Sequence, residues 1–258
     1  FIALATTSVD AHNLREMNGL SQRSYNERLF SGSGIRSFLH NARFNWFRKT
    51  VAELYEEPVS LLELGCFDGR LIEFCPKPPA TYQGFDADWE GGLSAAQGRY
   101  ASHPRWGFAK ATQPEDMAHL EPASFALGAS METLEHIAPD IVDGYLQQIE
   151  RATDGYLLVT VPNEKGPVFL LKYIIKHGLL RSGETYSAKE VFHATLGNLE
   201  RVERNEHKGF DHEALTRQIA KHFDIVSVRA LPFGWLPLWA SFTIAVIARS
   251  RTAQGSST

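Results

Sequence analysis

Short apolar segments alternate with amphipathic ones between residues 59 and 161, and this alternation restricts the chain to few folds. Five segments have the length and composition of strands: VSLLEL (59–64), TYQGFD (81–86), RWGF (105–108), FALGA (125–129) and GYLLVTV (155–161). Helices are predicted between them, at residues 69–75, 89–101 and 139–153. Strands that alternate with helices pair in parallel through right-handed crossovers. We therefore predict an α/β fold with a mostly parallel sheet and helices on both faces.

The segments on either side of this block have a different pattern. Residues 1–58 have apolar side chains at helical spacing and are predicted to be helical up to Pro58. Residues 163–207 contain no clear strand, and so long an interruption predicts an inserted cap on the substrate side. A helix, HEALTRQIAKHF, then leads into two strands, FDIVSVRAL and SFTIAVIARS. Residues 249–258 are expected to form a disordered tail.

One uncharged stretch, residues 230–248, is nineteen residues long and could span a bilayer by length alone. Pro232, Gly234 and Pro237 interrupt its first half, and β-branched residues fill its second half. This pattern favours a loop followed by a buried strand, with an interfacial or membrane segment as the alternative.

The composition is that of an ordinary globular protein, with 43% hydrophobic and 22% charged residues among 258. A net charge of −4 argues against a nucleic-acid partner. The first fifty residues nevertheless carry an excess of basic side chains, which form either a solvated helical face or a surface that meets an anionic group. The two cysteines, Cys66 and Cys75, provide neither a metal framework nor a disulfide scaffold, which favours a reducing, cytoplasmic location.

The stretch LLELGCFDGR, residues 61–70, is predicted to be a strand that runs into a glycine turn. Gly65 directly after a parallel strand lets the backbone turn sharply and approach a ligand, and Gly69 begins the next helix. Asp86 ends the following strand, 21 residues after Gly65. An acid at about this distance is where nucleotide-binding α/β units grip the ribose hydroxyls.

As a set, these motifs resemble the class I S-adenosylmethionine-dependent methyltransferases. LLELGCFDGR resembles the first motif of that family, GFDAD the second, ASMETLEHI the stretch after the fourth strand, and GYLLVTVPNE the fifth strand with its loop. The two last strands resemble the family's closing antiparallel hairpin. The resemblance covers residues 59–248 and implies a Rossmann-like, seven-stranded, mostly parallel sheet with a C-terminal antiparallel hairpin. It also implies S-adenosyl-L-methionine as cofactor.

The resemblance assigns the cofactor to one set of residues: Glu63, Gly65, Cys66, Phe67, Gly69, Asp86, Ala87 and Glu132. In this scheme, backbone N–H groups near Gly65 bind the cofactor carboxylate, Glu63 faces its amino group, and Asp86 binds its ribose. The chain departs from the family pattern at two places. Phe67 stands where another glycine is usual, and Ala111 and Thr112 stand where an acid often contacts the adenine.

The stretch METLEHI places Glu132, Glu135 and His136 at helical spacings. E-x-x-E-H resembles the metal-binding stretch of the small-RNA 3′-end methyltransferases and of some ubiquinone-pathway O-methyltransferases. This resemblance implies a site for Mg²⁺ or Mn²⁺ built from these three residues and His207, with His212 and His193 as weaker candidates. Two alternatives stay open: His136, with Glu135, acts as a metal-free base or orienting group, or the stretch is structural.

The resemblance implies an enzyme, most directly an O-methyltransferase for a small acceptor or one linked to a lipid or glycan. Aromatic side chains that could line the acceptor pocket favour an apolar or lipid-linked acceptor over a free sugar: Trp46, Phe47, Tyr173, Trp235 and Trp239. Peripheral contact with a membrane is a further expectation. An RNA 2′-O-methyltransferase and a non-catalytic S-adenosylmethionine-binding protein are the alternatives. The overall acidity argues against RNA, and the lack of G-x-G-x-x-G argues against an NAD-dependent dehydrogenase.

Overall fold

The computed structural model describes residues 35–89, 91–175, 186–205 and 207–251. The chain divides into two compact units, residues 1–41 and 42–258, and the strands and the candidate site described below belong to the second. In the first unit the described residues are the opening turns of one helix, where the Asn41 side chain donates a hydrogen bond to Ser37.

Seven strands form one sheet, and its topology confirms the predicted fold. The strands are β1 (Ser60–Leu64), β2 (Thr81–Asp86), β3 (Trp106–Lys110), β4 (Phe125–Met131), β5 (Thr153–Pro162), β6 (Phe223–Leu231) and β7 (Thr243–Ser250). Their order is β3-β2-β1-β4-β5-β7-β6. The first five strands pair in parallel, and β7 runs antiparallel to both β5 and β6. The expected C-terminal antiparallel hairpin is therefore present.

Six α-helices are described: α1 (Ile35–Leu54), α2 (Gly92–Arg99), α3 (Pro139–Ala152), α4 (Gly166–Ile174), α5 (Ala188–Thr195) and α6 (His212–His222). The helix predicted at residues 69–75 is instead a short 3₁₀ turn, Arg70–Phe74. The backbone of Cys75 is extended, as expected before Pro76, because a proline disfavours the helical conformation in the residue that precedes it. The turn therefore ends after five residues.

The main core lies between the sheet and its helices. Leu62 and Leu64 of β1, Phe85 of β2, Leu146 of α3 and Ile219 of α6 belong to one cluster of buried side chains. The central strands are buried on both faces, which explains why they are continuous apolar runs rather than alternating patterns. Each such side chain contributes roughly 1.5–3 kcal/mol by its burial, so the sheet is a firm base for the loops at its edge.

The insertion at residues 163–207 has a small core of its own. Phe169 of α4, Ala194 of α5, Leu199 and Val202 form a separate buried cluster. Helix α4 was predicted from the sequence, although residues 176–180 of the predicted segment lie outside the described residues. Helix α5 was not predicted, because its eight residues are too few to show a helical period. Its signal was the capping box, in which Ser187 and Glu190 each bond to the backbone of the other.

The uncharged stretch after β6 forms a loop and then strand β7, as its prolines and β-branched residues predict. The loop contains a 3₁₀ turn, Leu238–Ala240. Within the part of the chain that the structure describes, none of the helices is both long enough and apolar enough to cross a bilayer. Strand β7 extends to Ser250, two residues into the segment predicted to be a tail. Residues 252–258 lie outside the described range.

Candidate functional site

The carboxyl ends of the parallel strands bring the predicted site residues to one edge of the sheet. Gly65 follows β1, Asp86 ends β2, and Glu132 follows β4. The loop at residues 232–242 lies at the same edge, because β7 is antiparallel to β5 and begins opposite Pro162. In open α/β sheets this edge is where ligands bind.

The turn after β1 has a backbone that requires glycine. Gly65 has a φ of +83°, and a Cβ atom there would lie 1.9 Å from the side-chain oxygen of Thr133. Phe67 also has a positive φ, +46°, at the position where the family pattern has a glycine. A residue other than glycine takes this conformation at a cost of roughly 1–2 kcal/mol. Phe67 therefore keeps the left-handed backbone turn although it replaces the glycine of the family pattern.

Asp86 joins the ends of β1 and β2. Its carboxylate accepts a hydrogen bond from the Phe67 N–H at 2.9 Å and another from the Asp88 N–H at 2.7 Å. A carboxylate has about four acceptor positions, so each oxygen can accept one more donor. Ala87 lies between these two acids on the same partly buried edge. The arrangement fixes Asp86 in place and leaves it able to bind hydroxyl groups.

Glu63 lies beneath the turn and not on its surface. Its side chain is buried, and the Tyr82 hydroxyl donates a hydrogen bond to it at 2.5 Å. Burial raises the pKa of Glu63 to about 8, with smaller contributions from the nearby carboxylates of Asp86 and Asp68. Burial likewise raises the pKa of the neighbouring Cys66 thiol, so this cysteine is a structural thiol and not a nucleophile.

Glu132 is held by groups from three elements. Its φ is +53°, and its backbone N–H donates to Thr160 on β5. Its carboxylate forms an ion pair with Arg43 of α1 and accepts a hydrogen bond from Thr243 of β7 at 3.3 Å. Arg43 was missed as a site residue, since the sequence showed only a general excess of basic residues in this segment.

Glu135, His136 and His207 form a cluster that could hold a metal ion. One potential ligand atom from each lies within 4.8 Å of the others. The side chain of Glu135 is fully buried, and neither of its oxygens has a hydrogen-bond partner. Burial raises the pKa of this carboxyl well above its usual range. A buried carboxyl group with no hydrogen-bond partner beside two imidazoles fits a divalent cation, which would stabilise the ionised form of Glu135.

The cluster differs from the predicted set of four ligands. Glu132 is outside it, because its carboxylate forms an ion pair with Arg43 instead. His193 and His212, the weaker candidates, are also outside it. His212 is buried, and that burial lowers its pKa to about 4. The pairing of His207 with His136 spans 71 positions of the sequence, with ring centroids 4.2 Å apart.

The turn after β3 has no acid at the position where the family often contacts adenine. Asp116 folds back on this turn instead, and accepts hydrogen bonds from the N–H groups of Thr112 at 2.8 Å and Gln113 at 3.0 Å. These backbone bonds lower the pKa of Asp116. The Ala111 N–H donates to the backbone carbonyl of Asp86, which ties the turn to the edge that carries the ribose-binding candidate.

The aromatic side chains predicted near an acceptor separate into two groups. Phe47 is fully buried in the core, while Trp46 and Tyr173 are partly buried. Trp235 and Trp239 are 80% and 61% exposed, and Phe233 beside them is 45% exposed. These three side chains belong to the loop at residues 232–242, which we call the aromatic loop. Three exposed aromatic side chains at this edge of the sheet thus belong to one uncharged loop, and Trp89, three residues after the end of β2, is also exposed.

Comparisons with known proteins agree with this fold. No protein-family model and no curated protein sequence matches the chain. Among solved structures, the chain is similar to magnesium protoporphyrin IX methyltransferase from Synechocystis PCC 6803 with bound S-adenosylhomocysteine (TM-score 0.56, 15% identity, 93% of this chain and 99% of that chain). It is also similar to 1,6-didemethyltoxoflavin-N1-methyltransferase from Burkholderia thailandensis, again with bound S-adenosylhomocysteine (TM-score 0.54, 16% identity, 97% of this chain and 93% of that chain). A third similar structure is the PH0226 protein from Pyrococcus horikoshii OT3 (TM-score 0.59, 10% identity, 87% of this chain and 96% of that chain). The fold predicted from the motifs is therefore confirmed as the class I methyltransferase fold.

Proposed function

We propose that the protein is an S-adenosylmethionine-dependent methyltransferase. One observation carries the proposal: a left-handed glycine turn after β1 is tied by a hydrogen bond from the Phe67 N–H to Asp86 at the end of β2, in a sheet of the order β3-β2-β1-β4-β5-β7-β6. Two similar structures of this fold hold S-adenosylhomocysteine. The turn suits a nucleoside with an amino-acid tail, because its glycine backbone lets a ligand come close beside a fixed acid. The expected N–H donors near Gly65 are occupied, since Gly65 and Cys66 donate to the Phe85 carbonyl and Phe67 donates to Asp86.

In this proposal each cofactor residue has a separate task. The turn from Gly65 to Gly69, with Cys66 and Phe67, contacts the amino-acid group, and Asp86 with Ala87 holds the ribose. Glu63 lies below the turn as a buried acid, and its ionised form would add negative charge beneath the ammonium group of the cofactor. Methyl transfer is an in-line displacement at the sulfonium methyl, and its main requirement is an acceptor held close and aligned.

We further propose that the acceptor atom is an oxygen, activated at the Glu135–His136–His207 cluster. A hydroxyl acceptor must lose its proton, and an imidazole at this edge of the sheet is suited to take it. If a divalent ion such as Mg²⁺ or Mn²⁺ is bound, these three residues hold it, and the ion lowers the pKa of a hydroxyl. The unpartnered carboxylate of Glu135 supports the ion. Without one, His136 is the base.

The aromatic loop supports an apolar or lipid-linked acceptor. Trp and Phe side chains that are exposed on an uncharged loop are typical of surfaces that enter the boundary between water and lipid. The loop lies at the edge that carries the cofactor turn, so a lipid surface there would bring its head groups to the site. We therefore propose a small or lipid-linked acceptor met at a membrane surface, with the insertion at residues 163–207 as a cap. Two free cysteines support a reducing, cytoplasmic location.

RNA 2′-O-methylation is the second candidate. The proximity of Glu135, His136 and His207 favours RNA methylation, because the same residue types form the metal-binding stretch that the sequence resembles. The net charge of −4 disfavours it.

Isothermal titration with S-adenosylhomocysteine tests the function. We expect wild-type protein to bind, and Asp86→Asn to weaken binding about tenfold or more, since a charge-assisted hydrogen bond is worth about 1.5–3 kcal/mol. Asn is chosen because it keeps one acceptor oxygen for the Phe67 or Asp88 N–H. Asp224→Asn is the matched control, because Asp224 pairs with Arg251 at the opposite edge of the sheet. No binding by the wild type, or equal affinity in Asp86→Asn, would contradict the proposal.

A further inference from the structure

His207 reaches the candidate site on a tight turn at the end of the insertion. The backbone groups of Asn205 and Lys208 form hydrogen bonds with each other in both directions, at 3.1 and 2.9 Å. Gly209 follows with a φ of +71°, and the Phe210 N–H donates to the carbonyl of His207 at 3.1 Å. These local bonds give the turn a defined shape, but they do not decide which part of the molecule it faces.

Arg204 fastens this turn to the loop after β4. Its guanidinium donates one hydrogen bond to the backbone carbonyl of Glu135, 69 positions earlier in the sequence, and another to that of Lys208 at 3.5 Å. The guanidinium also lies over the ring of Phe210, 5.1 Å from its centroid. An arginine can make these contacts together because its donors form a rigid planar fork. Arg204 therefore joins one member of the cluster to the turn that carries another.

Lys208 fastens the same turn to helix α5 of the insertion. Its ammonium group lies 2.8 Å from the carboxylate of Glu190 and 5.3 Å from the centroid of the Tyr186 ring. The side chains of Lys208 and Glu190 are 10% and 16% exposed, so dissolved salt screens this ion pair little. Glu190 also accepts a hydrogen bond from the N–H of Glu203 at 3.3 Å. The turn is thus held from two sides, by the loop after β4 and by α5.

The cluster needs such support because its members come from separate elements. Glu135 and His136 belong to a short turn after β4, whereas His207 approaches from 71 positions further along the chain, with its ring 4.2 Å from that of His136. Groups that bind a metal or transfer a proton keep their orientation through the residues behind them. The loss of such a residue typically lowers metal affinity about 10- to 100-fold.

We propose that Arg204 is a positioning residue that, together with Lys208, places His207 in the cluster. This deepens the proposed function and rests on the role given there to the cluster. Through the ion pair of Lys208 with Glu190, the insertion contributes a residue to the site as well as covering it. The insertion then cannot move away from the sheet without withdrawing His207.

The first measurement needs no metal. The Hε1 proton of His136, assigned with His136→Ala, senses the ring current of His207, so its NMR resonance at one pH reports whether the two rings remain together. We expect Arg204→Met to shift this resonance as His207→Ala does, and to add little in the His207→Ala background. Arg204→Lys keeps the charge without the fork and should lie between wild type and Arg204→Met. Arg201→Met is the matched control, because Arg201 is exposed and lies three positions earlier, and it should leave the resonance in place.

The second measurement is the affinity for Mn²⁺, followed by electron paramagnetic resonance. Arg204→Met and Glu190→Gln should each weaken it about 10- to 100-fold, while both keep the wild-type affinity for S-adenosylhomocysteine. Gln is chosen because it preserves the capping box of α5 and removes the charge that faces Lys208. Glu200→Gln, at an exposed position of the insertion, is the matched control and should change neither affinity.

An unchanged His136 resonance in Arg204→Met would overturn the inference, and so would equal losses of affinity for Mn²⁺ and S-adenosylhomocysteine. Unchanged Mn²⁺ affinity in Glu190→Gln would overturn the part played by the insertion. If the wild type binds no Mn²⁺, the resonance decides alone, with Glu190→Gln expected to shift it too. If Arg204→Met does not fold, a wild-type resonance in Arg204→Lys overturns the inference. Wild-type protein that does not bind S-adenosylhomocysteine would contradict the proposed function itself, and the resonance would still test the role of Arg204.

Discussion

Glu63 shows how one buried carboxyl links stability to pH. Its pKa is raised from 4.5 to about 8 by burial, so in the folded protein it stays protonated through neutral pH. The unfolded chain releases this proton near pH 4.5. Between these two values the folded state binds more protons than the unfolded state, and the free energy of unfolding therefore falls as the pH rises. Each unit of difference in pKa is worth about 1.4 kcal/mol.

We predict that Glu63→Gln abolishes this decrease in the free energy of unfolding with rising pH. Chemical denaturation at several pH values from about 4.5 to about 8 should show the wild type losing several kcal/mol that the variant keeps. Gln preserves the shape and can still accept the hydrogen bond from Tyr82. Glu53→Gln, on a carboxylate that is 60% exposed, is the control and should follow the wild type. If the free energies of unfolding of wild type and Glu63→Gln changed in parallel over this pH range, the prediction of a raised pKa for Glu63 would be wrong.

The second prediction at this scale concerns the cluster of Glu135, His136 and His207. Titration with MnCl₂, followed by electron paramagnetic resonance, should reveal one bound ion per chain. Glu135→Gln and His207→Ala should each abolish it, because each removes one of the three ligands. His193→Ala is the control, since His193 lies on α5 outside the cluster.

The absence of a bound ion in the wild type would contradict the metal prediction and leave His136 as a metal-free base. In that case a chelator would not affect methyl transfer once an acceptor is known. Only the loss of His136 would then cost the ~10²–10⁴-fold that is typical of a general base.

At the scale of elements, the insertion at residues 163–207 is expected to behave as a separate unit. Its buried cluster around Phe169 is distinct from the main core. Phe169→Ala should cost about 3–5 kcal/mol locally, because a large side chain is lost from a closely packed site. We predict faster hydrogen exchange in α4 and α5 with unchanged affinity for S-adenosylhomocysteine, since the glycine turn packs elsewhere.

Leu146→Ala, in the main core, is the matched comparison and should speed exchange across the whole sheet. If Phe169→Ala also loosens β1 and β2, the insertion is an integral part of the domain. Added protection of α4 and α5 when an acceptor binds would support the cap, whereas protection confined to the glycine turn would argue against it.

At the scale of the whole molecule, the aromatic loop predicts attachment to a lipid surface. Trp235 and Trp239 are the most exposed of its aromatic side chains. Flotation with phosphatidylcholine vesicles should recover wild-type protein in the lipid fraction, and the double change Trp235→Ser and Trp239→Ser should release it. The physical reason is that burying an aromatic side chain in the boundary region removes apolar surface from water.

Phe192→Ser is the control for this prediction, because Phe192 is also exposed, at 61%, but lies on α5 and not on the aromatic loop. It should leave flotation unchanged. Wild-type protein that stays in the aqueous fraction would contradict membrane contact, and the loop would then be assigned to binding a soluble apolar acceptor.

The sequence alone determined the sheet, because its signals are local. Strands β2 and β6 begin and end at the predicted residues, and β1, β4 and β5 lie within a few residues of their predicted bounds. The glycine turn and Asp86 could be located for the same reason, since a strand, a turn and an acid in register are read within about twenty residues. Each of these features is decided by neighbours along the chain.

Only the tertiary structure decided which charges meet. Glu63 and Glu132 look alike as acids at the ends of strands, yet one is buried under Tyr82 and the other is paired with Arg43. His207 was one of three candidate histidines, and only packing brings it to His136. The contacts of Arg43 with Glu132 and of His136 with His207 join residues that are 89 and 71 positions apart, and the pKa of Glu63 is shifted by burial that exists only in the folded chain. Local pattern does not contain that information, because desolvation and ion pairing depend on distances that are set only when the chain has folded.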